Sequence, residues 1–311
     1  MARRLSTPQI SIVIPAHNEE AALPQLVSDV SAALADIPHE ILIIDDGSLD
    51  ATWPRIQQLQ TSHASVRGVR LTRNFGHQPA ILAGLSLARG DAVITMDADG
   101  QHPASLLPAL IARWREGDMV VQAVRTSTEE ETAFKRWTSK AFYRLLDAVG
   151  GPSIPVGSAD FRLLARPVVA MVLQSVGPVL FMRGLVPWLG YPASHIEFGA
   201  GRRRAGDSSY TVGRMMRLSI HGLMSFSIVP LRLSTLLGFA VAAFSFLYLA
   251  VVVVAWMTLR RGIVPGWASV MGLMSLLGGI QLIMIGVVGE YIGRIFIGQL
   301  NRPHFVIREQ I

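Results

Sequence analysis

Three short segments have the residue types and spacing of a site for phosphates and a divalent ion. They are Asn18-Glu19, Asp45-Asp46-Gly47-Ser48 and Asp97-Ala98-Asp99-Gly100-Gln101. Each stands just beyond a short apolar run. Carboxylates crowded at the end of a strand repel one another unless something positive joins them. A divalent ion shared with a diphosphate does so, because Mg²⁺ favours one or two carboxylates completed by phosphate oxygens and water. Either acidic cluster alone reads as a solvated turn with a capping Asp. Two clusters on one sheet edge, with Asn18-Glu19 after the first strand, read as a ligand site. Nothing else in the chain competes: the eight histidines form no zinc-type pair at helical spacing beside an acid, and there is no Gly-x-x-x-x-Gly-Lys-Ser/Thr phosphate loop.

The elements that must position these segments follow from the apolar pattern. Runs at 9–14, 40–44, 66–71, 92–96 and 119–124 read as buried strands, and 21–35, 50–60, 77–88 and 103–115 as amphipathic helices. Asp50 before Ala-Thr-Trp and Pro103 in a first turn are helix-start signals. Alternating strand and helix predict a mostly parallel sheet covered on both faces. In such a sheet the strand C-terminal ends share one edge, where ligands bind.

The composition changes near residue 232. Residues 233–259 and 262–289 carry no charge, and each run exceeds the ~20 apolar residues that a bilayer core requires. Arg260 and Arg261 lie between them. Arg214, Arg217, Arg232, Arg294, Arg302 and Arg308 flank them, a modest positive-inside bias that places both large ends in the cytoplasm. Residues 213–232 are amphipathic and suit either a membrane-plane helix or a core helix. The expected organisation is therefore a cytoplasmic domain over 1–212, a juxtamembrane segment over 213–232, spans over 233–259 and 262–289, and a cytoplasmic tail over 290–311. Mean hydropathy of +0.40 agrees with lipid contact. A net charge of +6 suits anionic lipid, nucleic acid or a phosphate-rich substrate. The absence of cysteine excludes disulfides and thiol chemistry. The short apolar run broken by Pro15 is no signal-peptide core, so the N-terminus is expected to stay in the cytoplasm.

Read in order, several motifs resemble glycosyltransferase family 2, in its dolichyl- and undecaprenyl-phosphate branch. They are Ile14-Pro15-Ala16-His17-Asn18-Glu19-Glu20, the Asp45 to Asp50 segment, Arg73-Asn74-Phe75-Gly76-His77 and the Asp97 to Gln101 segment. Lys135-Arg136 with Ser139, Ser158-Ala159-Asp160-Phe161-Arg162-Leu163, Met182-Arg183-Gly184 and Gly289-Glu290-Tyr291-Ile292-Gly293-Arg294 fit as well. The resemblance implies an α/β GT-A catalytic domain followed by a two-helix transmembrane hairpin, in a multi-pass inner-membrane protein. It implies donor binding by Pro15, Asn18, Glu19, Asp46, Arg125 and Arg203, and a Mg²⁺ or Mn²⁺ ion on Asp97, Asp99 and Gln101. It puts the acceptor phosphate on Arg136 and Ser139, and Asp160 near the transferred sugar, so that Asp97, Asp99 and Asp160 form the catalytic set. The implied partners are a nucleotide-sugar, more a UDP- than a GDP-sugar, a polyprenyl phosphate such as undecaprenyl phosphate, and the membrane. Nucleic acid is not among them. Members of the branch can assemble as tetramers, so a homo-oligomer is compatible with the resemblance.

The chemistry follows from charge. The leaving group is a nucleoside diphosphate, and cations placed on it stabilise the charge that builds as the sugar–oxygen bond breaks. The nucleophile, a phosphate oxygen, is already anionic near pH 7 and needs little help from a base. A single inverting displacement is expected, with Asp160 orienting the sugar. Two positions depart from the family pattern. Ser209 stands where a lysine is usual in Gly206-Asp207-Ser208-Ser209-Tyr210, and Gly100 stands where leucine is frequent. The first leaves room for an inactive relative. A membrane-tethered module binding nucleotide or anionic ligands through Arg202-Arg203-Arg204 is a second alternative, which nucleotide dependence would separate from an enzyme. A processive polysaccharide synthase is disfavoured by the lack of a Gln-x-x-Arg-Trp motif.

Overall fold

The structure is a computed structural model that describes residues 9–126, 158–177, 180–199, 229–259, 266–300 and 302–311. It divides into two compact units, residues 1–222 with 302–311, and residues 223–301.

The first unit is built on one eight-stranded sheet. Four parallel strands form its centre: β1 (Ile10–Ala16), β2 (His39–Asp45), β3 (Val66–Leu71) and β4 (Ala92–Thr95). Helices α1 (Leu23–Ala33), α2 (Thr52–Ser62) and α3 (His77–Leu87) connect them. The chain winds outward from β1 through β2 to β3, then returns to lay β4 on the other side of β1. That reversal makes the β1/β4 boundary a topological switch point, where strand ends open a crevice. After α4 (Leu107–Arg115) comes β5 (Val120–Thr126). Strand β6 (Ser158–Ala165) inserts between β4 and β5, antiparallel to both. Strand β7 (Ala193–Gly199) runs parallel to β5 at the edge. Helices α5 (Arg166–Gln174) and α6 (Met182–Trp188) lie between β6 and β7 in sequence.

The pleat sorts the core. Ile10, Ile12, Ile14, Ile41 and Ile43 face one apolar cluster, with Leu26, Ile56 and Leu110 from α1, α2 and α4. Val13, Leu42 and Ile44 face the other, with Ile81, Val169 and Val186 from α3, α5 and α6. All eight of these strand residues are fully buried, as expected for strands covered on both faces. Helix α3 approaches the sheet closely at Gly84, where an added Cβ would meet Val13 Cγ1.

One expectation holds and one is amended. The sheet is mostly parallel as expected, and two strands are added to it antiparallel: β6 and a C-terminal strand, β8 (Ile307–Gln310). Residues 290–311 are not a simple tail. They continue a long helix to Gln299 and then supply β8, which pairs with β3 while Ile311 exchanges both backbone bonds with Gly68. The pairing caps an edge that would otherwise expose unpaired backbone groups.

The second unit holds two helices, α7 (Val229–Leu259) and α8 (Trp267–Gln299). They approach at Gly238, whose added Cβ would stand 3.5 Å from Met284 Cε. Large apolar side chains along both are exposed, among them Phe239, Phe246, Leu282 and Ile283. Among the described residues one segment, Leu276–Gln299, is long and apolar enough to cross a membrane, with a mean hydropathy of 1.7. α7 contributes the shorter apolar stretch Ser234–Tyr248.

Candidate functional site

Every described site residue expected from sequence lies at one edge of the sheet, the C-terminal end of β1, β2, β4 and β5 and the N-terminal end of the antiparallel β6. The loops after β1 and β2 are stitched together. Asn18, in a left-handed conformation (φ 57°), donates its backbone N–H to Ser48 Oγ and accepts from Leu49 N through its side-chain oxygen. Glu19 N donates to Thr52 Oγ1, and the Glu20 carboxylate accepts from Ala51 N. Pro15 is buried inside β1, and Asn18 is exposed.

Asp45 and Asp46 divide their work. Asp45 is fully buried, accepts from Ser48 N at 2.9 Å and ion-pairs with Arg70 at 3.2 Å. Asp46 accepts Phe75 N at 2.7 Å and Gly76 N at 2.8 Å, one on each oxygen. Burial raises its pKa despite those two bonds and the nearby His17. Its geometry makes Asp46 the clasp of the loop that launches α3 and carries His77.

The loop after β4 carries Asp97 and Asp99, both half-buried. Asp99 Oδ1 accepts from Gln101 N at 3.0 Å. Gln101 Oε1 in turn accepts a long bond from Arg125 Nη1 at 3.4 Å, so the β4 and β5 ends meet. Asp97 Oδ1 is buried and makes no hydrogen bond among the described residues, its nearest cationic group being His77 Nε2 at 3.3 Å. A carboxylate oxygen in that condition is a natural ligand for a cation. Asp97 N donates to His102 Nδ1 at 2.9 Å, and the His102 ring stacks on Phe161 at 4.8 Å. Burial lowers the His102 pKa against the pull of Asp97, Asp99 and Asp160. The neutral ring that results keeps Nδ1 as the acceptor that holds this loop.

Asp160 lies beside these groups, only 3% exposed. Its Oδ1 accepts from Arg162 Nη2 at 2.7 Å. Its Oδ2 accepts from Arg183 Nη2 at 3.0 Å and Gln78 Nε2 at 3.1 Å, and lies 3.7 Å from His77 Nε2. Burial alone would raise its pKa, but Arg183, the His77 hydrogen bond and Arg162 hold its carboxyl far below the usual range. His77 responds in kind: burial lowers its pKa, and Asp160 with Asp97 outweighs burial and raises it.

The structure thus brings together Asp46, Asp97, Asp99, Gln101, Arg125 and Asp160 with the loop of Pro15, Asn18 and Glu19. It adds His77, Gln78, His102, Arg162 and Arg183, to which sequence reading gave no role. Arg136, Ser139, Arg203 and Ser209 lie outside the described residues, as does the segment expected to be amphipathic up to residue 228.

Comparison with known proteins agrees with this geometry. The profile described as Glycosyl transferase family 2 matches residues 11–172, and that described as GtrB C-terminal hairpin matches residues 229–295. The SfII prophage-derived bactoprenol glucosyl transferase of Shigella flexneri is 39% identical over 303 residues, covering 97% of this chain and 98% of that protein. An uncharacterized glycosyltransferase of Bacillus subtilis, YkcC, is 35% identical over 303 residues, 97% of this chain and 94% of its own. The fold is shared with glucosyl-3-phosphoglycerate synthase from Mycobacterium tuberculosis, solved with Mn²⁺, UDP and glucosyl-3-phosphoglycerate. That likeness has a TM-score of 0.50 at 20% identity and covers 68% of this chain and 76% of that one. A switch-point crevice lined by paired carboxylates, a family profile over the strands that build it and full-length relatives give one answer: the chain is a glycosyltransferase belonging to family 2, with a C-terminal hairpin of the GtrB type.

Proposed function

We propose that the protein transfers a sugar from a nucleotide-sugar, a UDP-sugar first, to a polyprenyl phosphate of the undecaprenyl class, with inversion at the anomeric carbon. The observation that carries the reading is the pairing of Asp97, with its unbonded buried oxygen, and Asp99 at the switch point of a chain that also carries an apolar hairpin. The bactoprenol acceptor in the Shigella relative's name supports the lipid. The UDP and Mn²⁺ in the mycobacterial enzyme's structure support the donor and the ion.

Asp97 and Asp99, with Gln101, would hold a divalent ion, Mg²⁺ or Mn²⁺, which supplies charge neutralisation to the departing nucleoside diphosphate. The chain's own residues do the rest. His102 fixes the Asp97 backbone. Asp46 clasps the 73–76 loop and so sets where α3 begins. The crevice at the β1/β4 switch point, beside the joined loops after β1 and β2, receives the nucleoside. Asp160, saturated by guanidinium and amide donors and held ionised, is a poor proton acceptor. This suits a phosphate nucleophile that brings its own negative charge.

Residues flanking the hairpin on both sides belong to one compact unit, which supports a reading with an even number of membrane crossings. On this reading α7 and α8 both span the inner membrane, and the catalytic unit lies in the cytoplasm, where nucleotide-sugars are made. Calorimetric titration of the full-length protein in detergent tests the site directly. UDP is expected to bind in Mn²⁺ or Mg²⁺ and to lose at least about tenfold in affinity on chelation. UDP binding indifferent to metal, or no binding, would contradict the assignment of Asp97 and Asp99.

A further inference from the structure

The loop between β3 and α3 is held from two sides. On the side of the site, Asp46 accepts from Phe75 N and Gly76 N, and Gly47 packs its Cα against the Arg73 and Asn74 backbone. On the other side stands β8. Its pairing with β3 passes a register shift between Arg70 and Leu71 and still continues beyond the strand, where Thr72 N donates to the Val306 carbonyl at 3.0 Å. Thr72 is the first residue of the loop. Arg73-Asn74-Phe75-Gly76 follow, and then α3 with His77.

Because β8 is antiparallel to β3, its two ends do different work. Ile307 lies beside Leu71, at the end of β3 that opens on the site. Phe305 and Ile307 pack on the same apolar cluster as Phe75 and the buried residues of α3. Ile311 lies at the far end, where it exchanges both backbone bonds with Gly68 and packs on the opposite cluster. Capping the edge of the sheet needs only the ladder along β3. The bond to Thr72 and the shared seat of Phe75, Phe305 and Ile307 go further, since they fix the loop itself.

Resting on the functional reading above for its ligand, we propose that residues 305–307 are a positioning element of the donor site. Through the Val306 carbonyl and the side chains of Phe305 and Ile307 they hold the 73–76 loop, and with it the clasp on Asp46, in the shape that receives the nucleoside diphosphate. A loop ordered before binding spares the ligand that entropic cost, so affinity rises without a new contact.

The experiment uses full-length protein in detergent and two readouts, hydrogen exchange over residues 73–80 and calorimetric titration of UDP with Mn²⁺. The pair Phe305→Ala/Ile307→Ala alters the end of β8 near the site. It is expected to exchange the Phe75 and Gly76 amides about tenfold faster and to bind UDP about tenfold more weakly. Ile311→Ala makes the same kind of change at the far end. It is expected to lower the thermal midpoint and to leave both readouts within about twofold of wild type. Thr72→Pro deletes the one N–H that reaches Val306, at an exposed position preceded by a strand residue, a place that proline tolerates. It is expected to move both readouts in the direction of the pair, and it decides alone should the pair fail to fold. Unchanged exchange, or unchanged UDP affinity despite faster exchange, would overturn the proposal. So would equal effects of Ile311→Ala and the pair, which would make β8 an edge cap whose weakening loosens the whole unit. Wild-type protein that does not bind UDP would count against the functional reading instead, and exchange at Phe75 and Gly76 would still decide whether the strand holds the loop.

Discussion

Asp99→Asn is expected to reduce transfer at least about 1,000-fold while leaving the fold in place. Its neighbour Asp97 contacts His77 and His102 directly, and its replacement would disturb both rings. Asp99 accepts from Gln101 N through Oδ1, and an asparagine oxygen can accept the same bond, so that contact of the loop survives. What disappears is one negative charge. If that charge holds a cation on the leaving diphosphate, several kcal/mol of transition-state stabilisation go with it, and each ~1.4 kcal/mol is a decade in rate. Initial rates at saturating lipid phosphate, with the thermal midpoint as control, check the prediction. A variant within tenfold of wild type would mean that the carboxylate pair does not carry the ion.

Gly47→Ala is expected to cost roughly 2–5 kcal/mol of stability and to weaken UDP binding together with it. Gly47 has φ +65°, which an L side chain adopts at ~1–2 kcal/mol. Its added Cβ would stand 2.4 Å from the Arg73 carbonyl carbon and 2.5 Å from Asn74 N. Backbone cannot swing aside as a side-chain end can, so overpacking adds ~1–3 kcal/mol. The displaced segment is the one that Asp46 clasps at Phe75 and Gly76, so the start of α3 and His77 move with it. Gly190 is the internal control: it has φ +71° and nothing within 4 Å of an added Cβ. Gly190→Ala incurs the backbone strain without the collision. The gap between the two thermal midpoints, roughly 2–12 °C, isolates the loop-to-loop contact. Equal midpoints would show that the loops after β2 and β3 are not held in register.

The centre of the sheet was legible because its strands are buried on both faces. Ile41, Leu42, Ile43 and Ile44 are all fully buried, so they read as an unbroken apolar run, and the acidic clusters beyond such runs could be assigned to one edge. Strand β6 was legible as a motif but not as a strand. Asp160 and Arg162 interrupt its apolar pattern, and they are tolerated inside because they pair with each other at 2.7 Å, a compensation that periodicity cannot show. Strand β8 reads Ile-Arg-Glu-Gln and is polar, as an edge strand can be. Only its pairing with β3 after the hairpin distinguishes it from a tail.

The histidines show the same limit within the site. His77 opens α3, His102 precedes α4, and no helical spacing joins them. They converge on Asp97 because the loops after β3 and β4 open at the same sheet edge. A search for zinc-type spacing passes over such a cluster. Arg183 was visible in a motif, but its ion pair with Asp160 exists only in three dimensions.

The most direct test of the central claim is a transfer reaction with the purified full-length protein, Mn²⁺, undecaprenyl phosphate and a panel of labelled UDP- and GDP-sugars led by UDP-glucose. The account predicts that label from one UDP-sugar enters the organic phase as a lipid-linked monosaccharide, that the anomeric configuration is inverted relative to the donor, and that chelation abolishes the product. UDP release without lipid-linked sugar, or a product with retained configuration, would contradict it.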